Sequence, residues 1–216
     1  MLDKLSYISL VFMGFLAIMN PLSSISIFLT LTANETEKEA KKIAKDSVIT
    51  ALSIVVIFVL FGHFLLSFFG ISFIALRLAG GILVGLIGYE MLQGKQSMLS
   101  KPSNEAIEET IKEESSVAVT PLGTPLLAGP AVIITAMNFS AGGFFNLVTT
   151  IFSFALLCML TYCFFVWGKQ IKLLLGMDIL ALLTRMMGLI LIFIGTQMLV
   201  DAVFNAITEF QKINYF

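Results

Sequence analysis

The chain has 216 residues, of which 58% are hydrophobic and 12% charged, with a net charge of −1 and a mean hydropathy of +0.98. So few polar residues cannot cover the surface of a soluble domain, and the composition points to an integral membrane protein. A nucleic-acid surface is excluded by the near-neutral charge, and the length suits a single membrane domain, 1–216, with no separate soluble part.

The first apolar run carries no charge from Leu5 to Asn34. Asp3 and Lys4 do not make a basic leader and no small-residue cleavage site follows, so the run reads as a first span, 5–33, and not as a cleavable signal. It is longer than the ~20 residues that a simple span needs, and Asn20-Pro21 lies in its middle. Proline removes a backbone donor and clashes with the preceding turn, so the span is expected to break there. Residues 34–46 read as a solvated helix of mixed charge, with Asn34 as its N-cap and Glu37 four residues before Lys41.

A second span is expected at 47–69 and a glycine-rich third at 72–92. Residues 93–117 form a charged linker. A fourth span, 118–141, breaks at Gly129-Pro130, and Ala141-Gly-Gly is a tight turn. The fifth span is 145–168, with Trp167 at the interface, followed by a loop, 169–178, and a sixth span at 179–205. Cys158 and Cys163 are five residues apart, share no helix face, and read as small core residues.

The halves look alike. Pro21 and Pro130 are 109 apart, Arg77-x-x-Gly80 and Arg185-x-x-Gly188 are 108 apart, and Met91-Leu92 and Met198-Leu199 are 107 apart. Repeat one is 1–92 and repeat two 118–216. Units of three spans must sit in opposite orientations, which is an inverted-topology repeat. Lysine concentrates in the odd-numbered loops (Lys38, Lys41, Lys42, Lys45, Lys95, Lys101, Lys112, Lys169, Lys172), so these are expected in the cytoplasm and both termini outside.

Asparagine is a strong N-cap and proline suits the first helical position, so Asn20-Pro21 and Gly129-Pro130 can each start a new half-helix. Each half-helix would aim free N–H groups and its positive dipole end at the membrane midplane, where an anionic group can be held. Ser23, Ser24, Ser26 and Thr135 add hydroxyls. Taken singly, each proline is an ordinary kink; the matched pair is what suggests a binding site. Two readings stand for Arg77 and Arg185: a structural role, by snorkelling or pairing with free carbonyls, or a gate or substrate contact. Gly81-x-x-x-Gly85 has the small-residue spacing of close helix packing. His63 reads as a packing residue or a proton relay, Glu90 and Asp201 as interfacial, and Asn138, Gln197 and Tyr89 as candidates for a polar path. No triad, nucleotide loop or metal cluster is visible, so neither an enzyme nor a cofactor or metal is expected.

Four stretches together resemble the MarC family of inner-membrane proteins: Asn20-Pro-Leu-Ser-Ser-Ile-Ser-Ile-Phe-Leu-Thr-Leu-Thr32, Leu76-Arg-Leu-Ala-Gly-Gly-Ile-Leu83, Thr120-Pro-Leu-Gly-Thr-Pro-Leu-Leu-Ala-Gly-Pro130, and Arg185-Met-Met-Gly-Leu-Ile-Leu191 with Thr196-Gln-Met198. The resemblance covers nearly the whole chain. It implies six helices, discontinuous first and fourth spans, and a small neutral amino acid such as glycine or alanine as substrate. The implied contacts are Asn20, Pro21, Ser23, Ser24, Gly129, Pro130 and Ala131. Many members carry glycine where Ala131 stands here, and a glycine-asparagine pair or similar where Ser23-Ser24 stands.

The expectation is therefore an all-α integral membrane bundle of six transmembrane helices, two inverted repeats of three, in the inner membrane. It would carry a small neutral amino acid by alternating access. The absence of a carboxylate beside the motifs favours proton coupling or exchange over sodium. An exporter or channel for another solute, and a non-transporting scaffold, are the alternatives. The partners are the substrate and the lipid bilayer, with an oligomer left open.

Overall fold

A computed structural model describes residues 2–94 and 127–214 of the protein. Among them every regular element is an α-helix: α1 Leu2–Met19, α2 Pro21–Leu31, α3 Glu37–Phe68, α4 Phe73–Leu92, α5 Pro130–Ser140, α6 Phe144–Val166 and α7 Gly168–Asn214. Five segments are long and apolar enough to cross a membrane, counting Lys4–Leu31 as one, and Pro130–Ser140 is a shorter apolar helix. The expected linker lies outside the described residues from 95 onward, as do residues 118–126 of the expected fourth span.

Two boundaries differ from the sequence reading. The charged segment 34–46 is not a separate loop helix, because α3 runs unbroken from Glu37 to Phe68. Its N-cap is Thr36, not Asn34: Glu39 N–H donates to Thr36 Oγ1 at 3.3 Å, and Thr36 N–H donates back to Glu39 Oε2 at 3.0 Å. At 1.5 Å per residue α3 is about 48 Å long. That exceeds the ~30 Å hydrocarbon core, so its first turns, with Lys41 paired to Glu37 at 2.8 Å, project beyond it. The expected loop 169–178 is likewise helical, within α7, and is interrupted at Gly176 (φ 70°, ψ 168°), a conformation that glycine adopts without strain.

The main core lies between α1, α2, α3, α5 and α6. Phe15 sits at its centre, fully buried, edge-on to Phe139 (5.6 Å between centroids) and to Phe154 (5.0 Å). Phe64, Phe152, Phe193 and Phe204 are exposed on the outside, as lipid contact requires. Buried hydroxyls are mostly satisfied within their own helices, as where Ser47 donates to Ile43 O at 2.7 Å and Thr161 to Leu157 O at 2.8 Å.

A second core joins α4 and α7 through glycines. A Cβ on Gly88 would lie 2.6 Å from Gly188 O, and one on Gly188 would lie 2.7 Å from Gly88 O. Gly81 and Gly195 approach as closely, at 2.8 Å and 2.7 Å. Both helices therefore place glycine every seventh residue along the seam and run antiparallel. The expected Gly81-x-x-x-Gly85 pattern is only half used, since a Cβ on Gly85 would point into open space. Val84 and Leu191 are wholly buried between the two glycine pairs, with Ala17 and Ala131 in the same cluster.

Candidate functional site

The site begins where α1 gives way to α2. Asn20 has φ 39° and ψ 69°, the one non-glycine residue with positive φ among the described residues. Asparagine is one of the few L-residues that visit this region routinely. The expected N-cap is thus present, but in a left-handed conformation in place of the usual extended one. Helical bonds persist on either side, from Asn20 N–H to Leu16 O at 3.0 Å and from Ser24 N–H to Asn20 O at 3.2 Å. The chain turns within a single residue.

Asn20, 6% exposed, organises a chain of hydrogen bonds. Its Oδ1 accepts weakly from Ser23 N–H at 3.4 Å, and its Nδ2 donates to Ser23 Oγ at 2.8 Å. Ser23 Oγ lies 2.8 Å from Thr184 Oγ1 on α7, and Thr184 Oγ1 donates to Leu180 O at 2.9 Å. A hydroxyl has one proton. Thr184 gives its proton to Leu180, so Ser23 donates to Thr184. Ser24, also buried, turns its hydroxyl back toward Asn20 O at 3.2 Å and Met19 O at 3.3 Å.

The second break is built differently. Gly129 caps α5 in extended conformation (φ −68°, ψ 171°) with no side-chain bond, and Pro130 opens the helix. Gly129 and Ala131 are buried, whereas Pro130 is exposed, so the proline shapes the backbone and does not line an enclosed pocket. Ile133 N–H reaches Gly129 O at 3.1 Å. The first four N–H groups of a helix lack intrahelical partners. With prolines opening both helices, and Ser23 and Ser24 bonded to Asn20, the donors without a partner among the described residues are those of Leu22, Gly129, Ala131 and Val132. Thr135, in the second turn of α5, is fully buried, and its Oγ1 has no hydrogen-bond partner among the described residues.

The flanks of both breaks meet. Ala17 and Ala131 share the α4–α7 core, while Met19, Leu127 and Ala128 share the main core. The residues that meet are therefore those flanking the breaks, Ala17 with Ala131 in one cluster and Met19 with Leu127 and Ala128 in the other.

The arginines do not have equivalent surroundings, contrary to the sequence reading. Arg77 Nε donates to Asn138 Oδ1 at 2.6 Å, in the last turn of α5, and its guanidinium lies 5.0 Å from the Phe73 ring centroid. Tyr7 OH donates to Phe139 O in the same turn. A cation there complements the negative end of the helix dipole. Arg185 instead lies against the backbone of Gly94, where its Nη2 would be 3.1 Å from a Cβ.

The other polar candidates lie apart from the breaks. His63 and Tyr89 are exposed, Gln197 donates to Asp201 at 2.9 Å, and Glu90 has one buried oxygen without a partner among the described residues. Ser26 is half-buried on α2. Among the described residues no group of His, Cys, Asp or Glu could hold a metal ion. Thr184 escaped the sequence reading. Its signal was only a hydroxyl beside an intramembrane arginine, and nothing in the spacing connected it to Ser23.

Comparison with known proteins places the chain among integral membrane proteins. The family described as MarC family integral membrane protein matches residues 5–207. UPF0056 membrane protein YvbG of Bacillus subtilis is 37% identical over 196 residues, covering 90% of this chain and 92% of that protein. A UPF0056 membrane protein of Methanocaldococcus jannaschii is 38% identical over 205 residues, 94% and 98% of the two chains. UPF0056 inner membrane protein MarC of Escherichia coli is 28% identical over 222 residues, 97% and 100%. No solved structure matches.

Proposed function

The chain belongs to the MarC family of integral membrane proteins, and from that premise we propose that it is an inner-membrane transporter of small neutral amino acids, glycine or alanine in size. The observation that carries the reading is the break at Asn20. A left-handed residue interrupts a 28-residue apolar segment and leaves the start of α2 buried in the protein. Irregular backbone at membrane depth persists only where protein surrounds it or a cavity needs it. Two buried helix starts, with N–H groups of Leu22, Ala131 and Val132 and the unpartnered Thr135 hydroxyl, suit a carboxylate. Carbonyls released at the breaks would accept from the ammonium group. The methyl of Ala131 and the side chains of Ala17, Val84 and Leu191 leave little room for a large side chain.

The reading includes six spans in two inverted repeats, with the first and fourth spans discontinuous. Its support is reciprocity. Gly81 meets Gly195 and Gly88 meets Gly188, the pairing that a two-fold axis produces when residue i matches i plus 107. Helices α2 and α5 both have 11 residues, and α3 and α6 begin 107 apart, at Glu37 and Phe144. The turn 32–36 is two residues longer than 141–143, which accounts for the change from 109 between the prolines to 107 beyond. In this register the counterpart of Arg77 is Thr184, one residue before Arg185. Rocking of one repeat against the other would expose the site alternately to each side.

The test is uptake of radiolabelled glycine and alanine by purified protein in liposomes. Saturable uptake with counterflow is expected, lost in Asn20→Ala and in Gly129→Leu. Folded protein that shows no uptake under proton or sodium gradients would sink the amino-acid assignment.

A further inference from the structure

Two cavities lie outside the broken-helix site. One, of about 270 Å³, sits at the end of α2 among the first turns of α3, the last turn of α6 and the start of α7. The other, of about 420 Å³, sits at the end of α5 among the last turns of α3 and the first of α6. Because α3 contributes Lys41 to one and Phe58 to the other, they lie about 26 Å apart along that helix. They are therefore at opposite ends of the bundle.

The cavities are also counterparts. The first is lined by Phe28, Ala40, Phe165 and Gln170. Shifted by the repeat offsets, 109 for α2 and 107 elsewhere, these become Met137, Leu147, Phe58 and His63. All four line the second cavity. Unrelated surface hollows have no reason to obey the relation that also pairs Gly81 with Gly195 and Gly88 with Gly188.

We propose that these cavities are the two substrate vestibules of the protein, one at each membrane face, each a transient binding site for the same small zwitterion. The proposal rests on the transport reading above. A path between the faces needs an entrance at each end, and an inverted repeat builds both from the same positions. The α2-end vestibule presents charges of both signs. Lys41 is held by Glu37 at 2.8 Å, and Glu35 and Lys169 on its wall add one of each. That matches a solute with one carboxylate and one ammonium. Phe28 stacks flat on Phe165, 4.4 Å between centroids with 3° between planes, and both rings are almost fully buried at its inner wall. Phe28 stands one turn beyond Ser24 on α2 and so lies between the vestibule and the break. At the other end its counterpart Met137 packs against Gly62, where a Cβ would meet its Cε at 2.6 Å. Among the described residues His63 is the only titratable side chain on that vestibule's wall.

The experiment uses the full chain in liposomes, with Cys158 and Cys163 replaced by serine and single cysteines at Gln170, His63 and Leu173. Leu173 is 86% exposed and lines neither cavity, so it is the control. A bulky, membrane-impermeant methanethiosulfonate is applied from each face, and glycine uptake is measured. Gln170→Cys and His63→Cys should label from opposite faces. Each adduct should lower uptake at least about ten-fold, while the Leu173→Cys adduct changes it less than about two-fold. Labelling of both from the same face, or adducts that leave uptake unchanged while the unlabelled protein transports, would overturn the vestibules. Absence of uptake in the unlabelled, folded protein would overturn the transport reading itself. Phe28→Ala is the independent check: it should speed labelling of Ser23→Cys from the Lys169 face about ten-fold, and an unchanged rate would count against the proposal.

Discussion

Helices α2 and α5 have the same length, open with the same residue and lie at matching places in the chain, yet each is fastened differently. Near its start, α2 is tied by Ser23 to Thr184 of α7. By contrast, α5 is tied near its end, by Asn138 to Arg77 of α4. In the proposed 107-residue register, Thr184 and Arg77 are counterparts. A short hydroxyl there reaches the near turn of the opposite half-helix, and a long guanidinium reaches the far one. If the backbone plan is two-fold, as proposed, the side chains that secure it are not.

The comparison breaks most severely where the plan is shared. Gly88→Val and Gly188→Val each drive a side chain into the facing backbone at 2.6–2.9 Å, with no flexible atom to yield. Both should cost about 3 kcal/mol or more, since overpacking of this kind cannot relax by rotamer change. Loss of monodisperse protein on size-exclusion after detergent extraction is the expected result, alike for the two. Gly85→Ala, whose Cβ would meet nothing within 4 Å, is the matched control and should leave the elution profile unchanged. Severe damage from one glycine and none from its counterpart would mean that the crossing is not reciprocal.

The caps come next. Asn20 needs φ 39°, whereas Gly129 at φ −68° asks nothing of its backbone that alanine cannot supply. Asn20→Ala should lose about 2 kcal/mol, from the left-handed conformation and the cap together. Asn20→Gly should lose less than about 1 kcal/mol, because glycine restores the conformation. At Gly129, alanine should introduce no backbone strain. Thermal unfolding in detergent ranks the three. Equal losses for alanine and glycine at position 20 would show that the side-chain bonds, and not the backbone angle, decide the break.

Much of this was legible in the sequence because membrane insertion and proline act locally. Hydropathy located the apolar segments, Asn20-Pro21 and Gly129-Pro130 marked both helix starts, and the turn at Ala141-Gly-Gly followed from its glycines. What escaped depends on geometry across helices. Charge suggested that 34–46 was a solvated helix of its own, but the Thr36 capping box starts α3 there and the helix runs on unbroken into the apolar segment. The arginines looked equivalent by identity, but one residue is about 100° around a helix. That rotation sends Arg77 toward α5 and Arg185 toward Gly94. Thr184 gave no signal, because a hydroxyl in an apolar helix usually serves its own i−4 carbonyl, and only the packing of α2 against α7 brings Ser23 to it.

The smallest effect tests the fastenings themselves. In membranes, side-chain hydrogen bonds between helices average about 0.6 kcal/mol and reach about 1.7, because the separated helices also find partners. A double-mutant cycle of Ser23→Ala with Thr184→Ala should give a coupling near that average. Thr184 keeps its bond to Leu180 O whichever residue stands at 23, so only one link is lost. The cycle of Arg77→Gln with Asn138→Ala should lie nearer the upper end, since its donor is charged and its bond is short, at 2.6 Å. Thermal midpoints in one detergent give both couplings, which separate the two sites' shared effects from the link itself. If the Ser23–Thr184 coupling equalled or exceeded that of Arg77–Asn138, the far end of α5 would not be the firmer anchor. The asymmetry between the halves would then lie in the backbone at Asn20 and Gly129, and not in the side chains that cross the seam.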